Sequence, residues 1–317
     1  MRNPSQIEMI SLDRLVPKNH AYRKVKDLVN FSKMLRELKD IEKEEGAKGF
    51  GIDRLFFCLL LQFMEDLSDR EMERFIQENN SAKWFWFCGF GLVEKTPKYS
   101  LFCRVRTRIG CNRISRIFDE VRSQLKARGY MNEVFTVVDA TALISKFNLW
   151  EERDKSIKEG YDKLNNTNIS KYSVDKDAKI GAKSTNKFWY GYKKHASIDT
   201  QSGMINKVAV TPANITDADG MKHVCPKSGM VIADKGYVGA INTILYKGAH
   251  PAVILRNNMK DKIREKDKWL TAIRSPYERM FSKQNKRVRY RGIAKNQFAE
   301  FMYAISFNFR RLLVLEQ

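Results

Sequence analysis

The chain is poor in the residues that staple, clamp or anchor a fold. Its 317 residues include five cysteines, Cys58, Cys88, Cys103, Cys111 and Cys225, none of them in a CxxC pair. An odd count without that spacing sets aside a disulfide framework. The four histidines, His20, His195, His223 and His250, are scattered without HExxH or Cys/His spacing, so no zinc centre is expected. There is no GxxxxGK[ST], no GxGxxG after a strand and no GxSxG, which excludes a P-loop ATPase, a dinucleotide enzyme and an α/β-hydrolase and leaves no nucleotide cofactor. Long apolar runs are missing as well. The most apolar stretch, Leu55 to Met64, is too short to cross a bilayer, and Met1 to Pro17 is polar, so neither a membrane nor a secretory route is expected and the cytoplasm fits best.

Negative charge is scarce too. Lys and Arg number 58 against 37 Asp and Glu, for a net charge of +21. A surplus of that size points to a polyanion, with nucleic acid the first candidate because the charge spreads through folded-looking sequence and not along a short polybasic arm. Part of it is focused: Arg256 to Arg311 carries sixteen basic residues against five acidic ones, about half the whole surplus.

Hydrophobic residues make up 43% of the chain, enough for two compact domains or for one large domain carrying a smaller one. Residues 1–130 read as helical and as a DNA-binding domain. A helix-like period runs over 28–45, Leu55 to Asp66 is apolar nearly all round, and Ser68-Asp69-Arg70-Glu71 makes a capping box. Thr96-Pro97 starts a further helix carrying Arg104, Arg106, Arg108, Arg113 and Arg116. The pair is either a helix-turn-helix or an ordinary bundle with a basic face, and charge alone does not separate the two. From Glu133 the pattern turns to strands. Runs at 134–138, 188–198, 205–211, 230–234 and 252–255, with helices at 217–224 and 240–247, predict an α/β domain over 131–317 in which helices cover a mixed sheet. A lysine-rich polar stretch near 148–187 reads as an exposed insertion.

Within this second half, Asp139 ends the run Val134-Phe135-Thr136-Val137-Val138 and Asp234 ends Met230-Val231-Ile232-Ala233, so both carboxylates are expected at strand tips on one sheet edge. Glu278 opens a helix in the basic tail, where Ser275-Pro276-Tyr277-Glu278 is also a good capping box with proline at the first helical position. Each acid has a structural alternative as a turn former or cap, with Gly236 after Asp234 offering positive φ. Together they suit phosphoryl transfer. Mg²⁺ prefers carboxylate oxygens, and two ions about 4 Å apart can serve the attacking and leaving oxygens of an in-line displacement. Asp139 would bridge both ions, and Asp234 and Glu278 would complete one site each.

Several segments carry a resemblance. Leu67-Ser68-Asp69-Arg70-Glu71-Met72, Cys88-Gly89-Phe90-Gly91-Leu92, Tyr190-Gly191-Tyr192-Lys193-Lys194-His195, Thr211-Pro212-Ala213-Asn214-Ile215-Thr216-Asp217, Asp234-Lys235-Gly236-Tyr237, Glu278-Arg279 and Arg289-Tyr290-Arg291-Gly292 follow one another through the chain. In this order they resemble bacterial insertion-sequence DDE transposases, in the group named after insertion sequence five. The resemblance implies an RNase H-like catalytic domain and a catalytic, metal-ligating triad of Asp139, Asp234 and Glu278 using Mg²⁺, with Mn²⁺ as substitute. It further implies double-stranded DNA as partner, a homodimer on DNA, and a bacterial, nucleoid-associated protein. Arg274, Arg279, Lys283, Lys286, Arg289 and Arg291 would hold phosphates. In related transposases a tyrosine precedes the motif arginine and a lysine follows the glutamate. Arg274 fits the arginine, while Thr271 and Asn285 take the other two places and Lys283 and Lys286 flank the second. The implied activity is cleavage at terminal inverted repeats and joining of the 3′-OH to target DNA. The alternatives are a catalytically inactive DNA-binding derivative and a structure-specific nuclease of the same metal chemistry.

Overall fold

The computed structural model describes residues 11–41, 49–85, 89–145, 173–184, 187–260, 262–282 and 287–316, with the side chains at 184, 187 and 278–282 outside that description. The chain divides into two compact units, Met1–Gln124 with Ile305–Gln317, and Leu125–Ala304.

The first unit is helical. It holds α1 (Leu12–Leu15), α2 (Ala21–Leu28), α3 (Phe31–Leu35), a 3₁₀ turn (Arg36–Ile41), α4 (Ile52–Met64), α5 (Asp69–Glu78), α6 (Asn80–Trp84) and most of α7 (Tyr99–Ala127). Helix α4 is its core, with Phe56 to Leu61 fully buried, as its all-round apolar sequence requires. The capping box forms: Glu71 N–H donates to Ser68 Oγ at 3.3 Å and Ser68 N–H donates to Glu71 Oε2 at 2.7 Å.

The single helix expected over 28–45 does not form. Val29 is extended, and the Asn30 side chain accepts from Lys33 N–H to start α3 afresh, because a short polar side chain competes with the helix for backbone donors. Residues 42–48 lie outside the described residues. Helix α7 is broken at Gly110, whose φ of 68° is left-handed and suits glycine. Several of its arginines bond within the unit. Arg106 grips Asp69 with two bonds of 2.8 and 2.6 Å, Arg113 pairs with Asp40, and Arg116 reaches Glu37 at 2.5 Å. Those pairs favour the bundle over a free recognition helix.

The second unit holds β1 (Phe135–Ile144), β2 (Lys179–Ser184), β3 (Lys187–Asp199), β4 (Ile205–Pro212), α8 (Asp217–Val224), β5 (Met230–Ala233), a 3₁₀ turn (Lys235–Ala240), α9 (Ile241–Tyr246), β6 (His250–Val253), α10 (Arg264–Ser282) and most of α11 (Ile293–Leu315). The sheet order is β2-β3-β1-β5-β6, with β4 also on β3. Strand β3 is antiparallel to β1 and β4, whereas β1, β5 and β6 are parallel. This is the mixed RNase H-like sheet. Strand β2 lies inside the stretch read as an exposed insertion, and pairing with β3 holds its lysines in a strand. Residues 146–172, with Lys155, Lys158, Lys163 and Lys171, fall outside the described residues.

Alternation along the strands feeds two cores. Val138, Val231 and Ala233 pack with Met221, Val224, Tyr237 and Ile244 from α8, the second 3₁₀ turn and α9. The alternate residues Val137 and Ile232 pack with Ala252 and with Leu270 of α10, supported by Ile273 and Tyr277. Helices therefore cover both faces, and Asp139, two residues on from Val137, is on the α10 side. Among the described residues no helix is long and apolar enough to cross a membrane.

Candidate functional site

Strand β1 runs five residues beyond Asp139, so this acid sits in mid-strand and not at a strand tip. What ends there is its neighbour. Strand β5 pairs with β1 only over Phe135–Val137, opposite Met230–Ile232, and stops at Ala233. Asp234 follows Ile232 by two residues, as Asp139 follows Val137, so both acids lie just past the paired stretch, at the carboxyl end of β5. The site thus lies at the carboxyl edge of β5, where parallel sheets open a crevice for ligands.

Asp234 is partly buried and its carboxylate is fixed: Oδ1 accepts the Gly236 N–H at 2.9 Å, capping the short 3₁₀ turn. Gly236 does not have the positive φ expected of a turn glycine. Its lack of a side chain matters for space, since a Cβ there would stand 3.0 Å from Asp234 Oδ1 and 3.5 Å from Asp217 Oδ2. A third acid, Asp217 at the start of α8, is therefore close by. Lys193 Nζ on β3 neutralises it from 2.8 Å.

Helix α10 closes the other side. It starts at Arg264, so Ser275-Pro276 does not cap it and Pro276 lies inside the helix. The proline forfeits one backbone hydrogen bond, and burial of Leu270 with Ile273 and Tyr277 against the sheet, together with the Tyr277 hydroxyl donating to Thr200 O at 2.6 Å, holds the helix through it. The capping role considered for Glu278 is thereby removed, because its backbone lies well inside α10. It follows Arg274 by four residues, one helical turn; its side chain and that of Arg279 lie outside the described residues, as do Lys283 and Lys286. Arg274 is only 5% exposed, and its guanidinium stands 3.7 Å from Asp139 Oδ1.

Arg291 is exposed and Arg289 partly buried. Their segment is tied down by buried Asp175, whose Oδ1 accepts from the Tyr192 hydroxyl at 2.6 Å and from Gly292 N–H at 3.2 Å, while Oδ2 accepts from Ser145 Oγ at 2.9 Å. Next to Asp234 a cleft of about 390 Å³ is lined by Lys235, Gly236, Arg256 and Asn257.

Lys193, Asp217, Lys235 and Tyr237 lie within the quoted motifs without an assigned role, Arg256 was read only as the start of the basic stretch, and Asn257 was passed over. Adjacency to Asp234 was the available clue. Tyr237 is the most unusual of these residues. Its ring is fully buried, yet its hydroxyl has no hydrogen-bond partner among the described residues, an omission that costs about 1–3 kcal/mol. Burial pushes its pKa well above the phenolic value, and the charges of Asp139, Asp217 and Asp234 push the same way.

Among the described residues no group of three side chains that could hold a metal is present, and the side chain of Glu278, the third acid expected, is outside the description. The carboxylates of Asp139 and Asp234 are the hard oxygen donors that a divalent cation prefers, and Arg274 stands 3.7 Å from Asp139 Oδ1. Comparison with curated proteins and with solved structures gave no match. Two family models do match, a transposase domain (DUF772) over residues 10–108 and a transposase DDE domain over residues 133–309. The second takes in more than half the chain and every strand of the sheet that carries Asp139 and Asp234, and on it the chain belongs to the DDE transposase family.

Proposed function

We propose that the protein is the transposase of an insertion sequence, binding the terminal inverted repeats of its element, cutting there and joining the freed 3′-OH to target DNA. The observation that carries this reading is that Asp139 and Asp234 each follow the paired stretch of β1 and β5 by two residues, with Arg274 3.7 Å from Asp139 and Glu278 one helical turn beyond Arg274. Both steps are in-line displacements at phosphorus. Water attacks in the first and the element's 3′ oxygen leaves; that 3′-OH attacks in the second and a 3′ oxygen of the target leaves.

Asp139, Asp234 and Glu278 would hold the metal. When bound, Mg²⁺ or Mn²⁺ supplies Lewis acidity at the attacking and leaving oxygens. The chain's own residues orient the reaction. Gly236 N–H fixes the Asp234 carboxylate, Arg274 offsets the charge of Asp139, and Lys193 holds Asp217 away from a competing role. Lys235, Arg256 and Asn257 offer donors to a backbone phosphate in the adjoining cleft, and Arg289 and Arg291 extend the basic surface. A homodimer would pair two element ends.

The test is Asp139→Asn beside Asp234→Asn on a DNA fragment bearing one element end. Each change should abolish Mg²⁺-dependent cleavage and leave end binding nearly intact, and retained cleavage removes that acid from the mechanism. The second reading is a catalytically inactive DNA-binding derivative. It is favoured by Thr271 and Asn285 at the tyrosine and lysine places of the motif, and wild-type chain that binds ends without cutting them would establish it.

A further inference from the structure

Strand β3 outruns its neighbours. β1 pairs with it from Gly191 to Asp199 and β4 from Tyr192 to Ile198, so over Lys187–Trp189 its partner, among the described residues, is β2 alone. The result is a two-stranded ribbon at the sheet edge. Its root is stiff: a Cβ on Gly181 would stand 2.5 Å from the Trp189 ring, and the indole N–H donates to Tyr192 O at 3.0 Å. Farther out, Ala182, Lys183 and Phe188 are exposed, and the register shifts between Ala182 and Ser184, so Lys183 stands outside the pairing. A bulge of this kind re-aims a side chain away from the ladder.

The turn that leads into the ribbon also holds a second basic segment. Asp175 Oδ1 accepts Gly292 N–H at 3.2 Å and Asp177 Oδ2 accepts Ile293 N–H at 3.0 Å, so two carboxylates just before β2 cap the amino end of α11. Their charge is turned to a helix end that favours anions. Val288 N–H donates to Ile144 O at 2.9 Å. The residues between these ties, with Arg287 and Arg291 exposed and Arg289 partly buried, are thereby fixed between the end of β1 and the start of β2. Segments 116 residues apart in sequence meet in one basic surface.

We propose that the β2–β3 ribbon and the Arg287–Arg291 segment form one surface for duplex DNA, with Lys179, Lys183 and Arg291 on backbone phosphates and Asp177 holding the two parts together. The inference rests on reading the chain as a transposase. Charge and width choose the occupant: the cations suit a polyanion, and a two-stranded ribbon fits the major groove of B-DNA. Lysines on an edge strand also hinder pairing between copies of a chain. That role needs no DNA and leaves DNA binding untouched, which separates the two by experiment.

The experiment measures binding of the full-length chain to a duplex bearing one element end across a salt series, with thermal unfolding beside it. Lys183→Ala and Arg291→Ala should each lower the slope of log K against log salt by about 0.9, and together by about 1.8, at an unchanged melting temperature. Lys227→Ala, at an exposed lysine in the loop that enters β5, controls for net charge and should leave the slope alone. Asp177→Ala should lower the slope as Arg291→Ala does, and adding Arg291→Ala to it should change little, because the two act as a unit. A wild-type slope in the Lys183→Ala, Arg291→Ala double variant overturns the proposal, and so does an equal loss in Lys227→Ala. An unaltered slope in Asp177→Ala, or effects that simply add, removes Asp177 from it. If the wild-type chain binds the duplex with no salt slope, the transposase reading itself fails; a steep wild-type slope that these variants leave intact sinks only the surface.

Discussion

Replacing Gly236 by alanine adds one methyl group to the most crowded point of the site. The new Cβ would stand 3.0 Å from Asp234 Oδ1 and 3.5 Å from Asp217 Oδ2. The second is an ordinary contact; the first is too close by a few tenths of an ångström. Gly236 is outside the left-handed region, so alanine brings no backbone strain and loses less entropy on folding than glycine. Relief has to come from the Asp234 carboxylate, which rotates or shifts and stretches its 2.9 Å bond from Gly236 N–H. The stability change should stay within about 1 kcal/mol, since weakening one such bond and gaining the entropy term nearly cancel. Catalysis is less tolerant. A misplacement near 1 Å costs on the order of 100-fold, so a shift of a few tenths should lower kcat about 10-fold with end binding unchanged. Single-turnover cleavage of an end fragment, beside a thermal melt, reads both. A wild-type rate at an unchanged melting temperature would refute Asp234 as a positioned catalytic group.

Three further outcomes follow from the same geometry. Burial holds the His195 pKa near 4 in the folded chain against 6.5 for the free side chain, so the unfolded state binds the extra proton first; stability should fall by roughly 3 kcal/mol as pH drops from about 6.5 to about 4. His195→Gln should remove that part of the slope in pH-dependent denaturant titrations, and an unaltered slope would count against the buried neutral imidazole. Arg256→Ala in the cleft beside Asp234 should weaken DNA binding and reduce the slope of log K against log salt by about 0.9, the share of one phosphate contact; an unchanged slope leaves the cleft off the DNA path. Ser68→Ala should cost about 1 kcal/mol through loss of the α5 cap, measured by chemical denaturation, and a neutral result would mean that the capping box is not held in solution.

The sheet was legible because each of its main strands is a β-branched or aromatic run between turn formers, and Asp139 and Asp234 were singled out by their place at the ends of two such runs. The position of Asp139 was misjudged for a physical reason. Ala140 to Ile144 carries no strong alternation, and its pairing is set by the long β3 and not by its own composition. Strand β2 was hidden the same way, since a lysine-rich segment becomes a strand only when β3 supplies a partner. Pro276 gave a false helix start. The proline-at-first-position rule is local, whereas the burial of Leu270, Ile273 and Tyr277 that carries α10 through it is not. The arginines of α7 looked free because their partners Asp40, Glu37 and Asp69 are distant in sequence. Tyr237 could not be read at all, because whether a hydroxyl finds a partner is decided only by tertiary packing.

The most direct measurement incubates the purified full-length chain with a supercoiled plasmid carrying its element's inverted repeats and Mg²⁺, and maps the products at nucleotide level. The account predicts 3′-OH ends at the repeat tips and joints between those ends and target DNA, both absent with Asp139→Asn. Stable binding to the repeats with no cleavage at any Mg²⁺ or Mn²⁺ concentration would contradict it.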